Sequence, residues 1–174
     1  MPDKLKRWYM GSDTWISLLS DLLTPNAIER RTTLEHFIQE AMDGTAQLFV
    51  STVTIVEVVR AEVVGIPPVQ VSAEVRQKIT DLFEEPYITP ILLDPARASE
   101  ARTLRWQHPW LRTMDAIELA SAVYARVDVM YTYDGSGTRR GLISLDGLVG
   151  NPPLRIQVPR YTGGRQAPLP DVKG

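Results

Sequence analysis

Four acidic residues, Asp13, Glu57, Asp115 and Asp134, stand where a carboxylate can meet a ligand. Asp13 closes the apolar run Trp8-Tyr9-Met10, and Glu57 comes shortly after Leu48-Phe49-Val50. Asp115 falls in the first turn of a helical pattern, and Asp134 follows the alternating Val127, Val129 and Tyr131. Strand ends and helix starts of this kind line the carboxyl edge of a parallel sheet, where α/β proteins bind ligands. Carboxylates packed together repel one another and raise some of their pKa values. The chemistry that uses such a set is the binding of a hard divalent cation. Mg²⁺ takes oxygen ligands and keeps several waters, so a few carboxylates suffice. A bound ion lowers the pKa of water and stabilises charge on a phosphate. Taken alone, Asp115 would be a helix N-terminal acid favoured by about 0.3–1 kcal/mol, and Asp134 an ordinary turn residue. Four acids at equivalent places favour a joint role.

The elements that must position them follow from pattern. In the segment from Arg112 to Asp134, Ala116, Leu119, Ala120, Val123 and Tyr124 form one apolar helical stripe. A short strand then ends on Asp134, and Gly135-Ser136-Gly137 stops it. Upstream, Trp15, Ile16, Leu18, Leu19, Leu22 and Leu23 predict a helix halted by Pro25. A second helix runs from Ala27 to Met42 with Ile28, Leu34, Ile38 and Met42 inward. The stretch Thr52 to Val64 carries strand-forming Val and Ile, yet Ser51 and Thr52 can cap a helix and Val56, Val59 and Val63 keep helical spacing. We read it as helix. Further helices are expected over Ser72–Phe83 and from Asp94, an N-cap followed by Pro95, to about Trp106. Tyr87 to Leu93 reads as an edge strand because Pro90 interrupts it. Leu154, Ile156 and Val158 predict a last strand. Strands alternating with helices predict an α/β sandwich with a largely parallel sheet.

The chain has 174 residues, 44% of them hydrophobic and 23% charged, which suits one globular domain rather than a disordered chain. A formal net charge of -2 gives no global signature of nucleic-acid binding, so such a partner would need a local basic patch. The absence of cysteine excludes disulfides, thiolate zinc sites and a cysteine nucleophile. With two histidines, a histidine-rich metal site is out of reach. No apolar run is long enough to span a membrane, and no signal peptide is evident, so a cytoplasmic protein is expected.

The motifs GSDTW around Asp13, TIVEVVR around Glu57, MDAIELASAV around Asp115 and YTYD at Asp134 resemble the four acidic motifs of PIN domains. These are metal-dependent ribonucleases that include the toxins of bacterial toxin–antitoxin pairs. Order, approximate spacing and context match over residues 8 to 160. Asp115-Ala116-Ile117-Glu118-Leu119-Ala120-Ser121-Ala122 is the most telling match. The resemblance implies an α/β/α sandwich with a central parallel sheet, placed over residues 1–160, while the Gly/Pro/Arg-rich composition of 161–174 reads as a flexible tail. It implies that Asp13, Glu57, Asp115 and Asp134 hold one or two Mg²⁺ or Mn²⁺ ions. Water would then attack an RNA phosphodiester, leaving a 5′-phosphate and a 3′-hydroxyl. Thr14 and Thr132 fall where the family places small hydroxyl residues beside the acids. A homodimer and an inhibiting antitoxin are implied as partners. Trp15, Tyr133 and Glu118 depart from the family pattern, and Trp15 or Tyr133 would narrow the cleft or offer a face to a base.

Around this core, Glu118 reads as a solvated helix residue, with metal or water positioning as the accessory alternative. Trp8, Trp106 and Trp110 are expected in core or interface. Arg112, Arg139 and Arg140 flank the two later aspartates and are candidates for phosphate contact as much as solvated rim. Two other functions compete. One is a non-catalytic PIN-like module that binds RNA or protein. The other is a phosphatase with Asp13 as nucleophile, which usually wants a second aspartate two residues on, where Trp15 stands.

Overall fold

Successive side chains along a strand point to opposite sides of its sheet, so one sheet serves two cores. The computed structural model describes residues 4–19, 23–58, 72–137 and 140–161. Its strands are β1 (Lys6–Met10), β2 (Ala46–Ser51), β3 (Ile88–Ile91), β4 (Val129–Tyr131) and β5 (Ile156–Gln157). They pair in the order β3-β2-β1-β4-β5, and every pairing is parallel. The helices are α1 (Ser12–Leu19), α2 (Pro25–Met42), α3 (Thr52–Glu57), α4 (Ala73–Phe83), α5 (Pro95–Gln107) and α6 (Thr113–Tyr124), with a 3-10 turn over Leu142–Leu145.

Trp8, Met10, Leu48, Val50 and Ile88 face a core shared with Trp15, Leu34, Phe37 and Ile79 of α1, α2 and α4. Tyr9, Phe49, Ile91, Met130 and Ile156 face the other core, shared with Leu104 of α5 and Leu119 of α6. The protein is thus a three-layer α/β/α sandwich, as expected. β3 is an edge strand, which explains how Pro90 is tolerated there. The Asp94 side chain caps α5 by accepting from Arg97 N at 2.8 Å.

Several local expectations differ. Pro25, expected to halt the first helix, opens α2 behind Thr24, whose side chain accepts from Ala27 N. The buried face of α2 is Leu34, Phe37 and Ala41, while Ile28 and Met42 are exposed. The helix after β2 runs from Thr52 to Glu57 with Val58 as its C-cap; the remainder of that expected helix lies outside the described residues, as do Leu22, Arg139 and nearly all of the expected tail. β4 ends at Tyr131, so Asp134 lies in the following turn. Asp13 stands in the first turn of α1. Most telling is α6. It has no single stripe, because Asp115 through Ala122 are all buried and Tyr124, expected inward, is exposed. A helix covered on all sides is a core helix.

Candidate functional site at the carboxyl edge of the sheet

β1 connects to β2 on one side and lies beside β4 on the other, so the sheet changes direction of growth between β1 and β4. Crevices for ligands open at the carboxyl ends of strands flanking such a point. Asp13 and Asp134 leave β1 and β4 there, and one hydroxyl joins them. Thr132 donates to Asp13 Oδ2 at 2.9 Å and accepts from Asp134 N at 3.0 Å. Tyr133 N also donates to Asp13 Oδ2, at 2.6 Å. Burial pushes the Asp13 pKa up, the Tyr133 and Thr132 hydrogen bonds oppose it, and the Asp134 charge adds to it. Asp134 accepts from Leu142 N at 3.0 Å, which closes the turn between β4 and the 3-10 segment.

Glu57 ends α3, whose first turn is capped by Ser51. One of its oxygens, Oε2, is buried with no hydrogen-bond partner among the described residues. Burial raises the Glu57 pKa; the Ser12 side chain lowers it, Asp115 raises it and Arg112 lowers it. Asp115 is itself buried, and Arg112 grips it with two hydrogen bonds, Nε to Oδ2 at 2.7 Å and Nη2 to Oδ1 at 3.0 Å. That ion pair, rather than the helix dipole alone, holds Asp115 in this structure. Arg112 is also drawn by the charges of Asp134 and Glu57. The four sequence-chosen acids therefore share one electrostatic neighbourhood with one arginine among them.

Glu118 corrects its reading as a solvated residue. It is 3% exposed, and its Oε1 accepts from Ser12 N at 2.7 Å and from the Thr54 hydroxyl at 2.8 Å. Burial, and secondarily the Asp13 charge, push its pKa up to about 8 against the Thr54 and Ser12 hydrogen bonds. It therefore holds its proton well above the ordinary carboxyl range. Beneath it, Ser51 N donates to the Tyr9 hydroxyl at 3.0 Å, and Tyr9 is hydrogen-bonded in turn to Thr54. Sequence reasoning missed Ser12, Thr54 and Tyr9. The only available signal was hydroxyl residues spaced next to Asp13 and one turn before Glu57.

Thr14, expected beside the acids, is buried and donates instead to Gly11 O at 2.6 Å. Trp15 neither narrows the cleft nor offers a stacking face. It is fully buried against Phe83, and its indole donates to Met10 O at 3.0 Å. Tyr133 packs on the α1–α2 side with Arg30 over its ring. Arg140 lies over Trp110, which ties the post-Asp134 loop to the loop before α6. Trp8 is in the core as expected, whereas Trp106 is 70% exposed.

The donor set is all oxygen, and Glu57 Oε2, with no partner among the described residues, suits a hard cation. As the side chains stand, no group of three or more acidic or histidine residues among the described ones is arranged to hold a metal ion. Both oxygens of Asp115 are engaged by Arg112. No protein-family model matches the chain, and no curated protein matches it.

Proposed function

We propose that this protein hydrolyses phosphodiester bonds with the help of a divalent cation, acting as an endoribonuclease. The observation that carries the reading is the buried Glu57 Oε2, without a hydrogen-bond partner among the described residues and set beside Asp115 at the carboxyl edge of a parallel sheet. A buried carboxylate oxygen without a partner is costly unless a ligand satisfies it. Asp13, Glu57, Asp115 and Asp134 are the residues that would hold Mg²⁺ or Mn²⁺. When bound, such an ion supplies a nucleophilic water at neutral pH and neutralises charge on the phosphate. The chain's own work is orientation. Thr132 and Tyr133 N fix the Asp13 carboxylate, and Arg112 supplies a guanidinium suited to a phosphate once it leaves Asp115. Hydrolysis forms a bond from water oxygen to phosphorus and breaks the bond to the 3′ oxygen, giving a 5′-phosphate and a 3′-hydroxyl.

The resemblance to PIN domains narrows the proposal to RNA and to a toxin restrained by an antitoxin, with a homodimer as the working assembly. Cleavage of single-stranded RNA with Mn²⁺ or Mg²⁺, lost with EDTA, tests the chemistry. We expect Asp115→Asn to lower the rate by at least ~100-fold; wild-type rates in that variant would remove the site assignment. Growth arrest on expression, relieved by Asp115→Asn, tests the toxin role. The grip of Arg112 on Asp115 favours the second reading, a non-catalytic RNA- or protein-binding module. RNA binding without cleavage, unaffected by metal, would establish that reading instead.

A further inference from the structure

We propose that Glu118 is a positioning residue for this site, fixing the segments that carry Asp13 and Glu57 against the helix that carries Asp115. The inference rests on the phosphodiesterase reading and adds a fifth acid that holds the others in place. Three elements meet at one oxygen. Ser12, the residue before Asp13, gives its N–H to Glu118 Oε1 across 106 positions of sequence. Thr54, one turn before Glu57 on α3, gives its hydroxyl to the same atom across 64 positions. Glu118 itself lies one turn after Asp115 on α6.

A purely structural origin would not require an acid here. The surrounding positions of α6 are apolar or small, and a buried carboxyl is unfavourable unless its hydrogen bonds are made. Ser12 N is among the first N–H groups of α1, which have no partner within the helix, and Glu118 supplies one. Both donors belong to segments bearing sequence-chosen acids. The Ser12 side chain also lowers the Glu57 pKa, so the residue that Glu118 anchors lies next to a second acid. The Tyr9–Thr54 link backs the arrangement from the core side. Reacting groups displaced by about 1 Å can cost a hundredfold in rate, so such an anchor acts on turnover more than on substrate capture.

The test uses the full chain carrying Glu118→Gln, Glu118→Leu or Thr54→Val, with Leu34→Ala as a stability control in the other core. Measured are kcat and KM on single-stranded RNA and, independently, the affinity for Mn²⁺ alone by calorimetry. Glu118→Leu should lose ~100-fold in kcat with KM nearly unchanged and bind Mn²⁺ roughly 10-fold more weakly. Gln keeps the acceptor oxygen and should stay within about 5-fold of wild type in both. Thr54→Val, which removes one donor only, should fall between and serves if the Leu variant does not fold. Leu34→Ala should lose stability and keep kcat. The proposal is overturned if folded Glu118→Leu, or Thr54→Val in its place, matches wild type. It is equally overturned if Glu118→Gln fails as badly as Leu, or if Leu34→Ala loses turnover to the same degree. Wild-type protein that neither binds Mn²⁺ nor cleaves RNA overturns the phosphodiesterase reading instead. Positioning is then decided by NMR: Glu118→Leu must shift the Ser12 and Glu57 amide resonances and Glu118→Gln must leave them in place, and unmoved resonances in the Leu variant overturn it.

Discussion

Arg112 and Asp115 form a lopsided pair: the arginine side chain is 65% exposed and the carboxylate 10%. The aspartate is therefore committed to its place, whereas the more exposed arginine is freer to move. A divalent ion at Asp115 would have to compete with the guanidinium for the same two oxygens. Arg112→Ala should consequently bind Mn²⁺ roughly 3- to 10-fold more tightly while raising KM for RNA, because a bidentate phosphate donor is lost. The salt dependence of RNA binding should drop by about one phosphate contact. Calorimetry with Mn²⁺ and fluorescence titration with RNA read the two effects separately. Unchanged Mn²⁺ affinity would show that Arg112 does not guard the acid.

Two short elements limit how rigid the site is. α3 is six residues long, too short to persist without its cap and its packing, and it carries Glu57. Ser51→Ala removes the side chain that accepts from Val53 N at 3.2 Å. We expect a loss of about 1 kcal/mol in urea denaturation, with a weaker Mn²⁺ affinity as the local consequence. On the opposite side, the loop after β4 folds back so closely that a Cβ on Gly141 would lie 2.4 Å from Gly135 N and 2.6 Å from Asp134 Oδ1. Gly141→Ala must push that turn open. It should lower cleavage by ~10-fold or more, while the melting temperature shifts by only a few degrees. A variant as active as wild type would mean that the Asp134 turn is not part of the working site.

Across the whole molecule, Asp13, Glu57 and Glu118 all have pKa values raised by burial. The folded state holds these protons more tightly than the unfolded chain does. Their contribution to stability is fully present below the ordinary carboxyl range and is lost as pH rises through the folded values, for Glu118 from 4.5 to about 8. Thermal melts should therefore show stability falling across that window by on the order of a few kcal/mol. Glu118→Gln should flatten the slope. Mn²⁺ binds only the folded state and the ionised acids, so it should restore stability, most strongly toward pH 8. A melt independent of pH in this range, with or without the ion, would contradict the buried acid cluster. Among the described residues no helix is long and apolar enough to cross a membrane.

Much of this architecture was legible in the residues themselves. Periodicity and turn chemistry, such as Asp94-Pro95 opening α5 and Pro90 marking an edge strand, are local properties. They specified the alternation of strands and helices and, through it, the parallel sandwich. The order of four acids along the chain likewise followed from where strands end and helices begin. What the tertiary structure decided is where each side chain is spent. Glu118 looks like a solvated helix residue because its donors, Ser12 and Thr54, are far away in sequence and meet it only when three elements close. Trp15 looks like a cleft residue until α4 covers it. Asp115 looks like a free ligand until Arg112 takes it. Burial and long-range pairing are properties of packing, and they turned a row of four carboxylates into a shared neighbourhood with an arginine among its acids and a fifth acid beneath it.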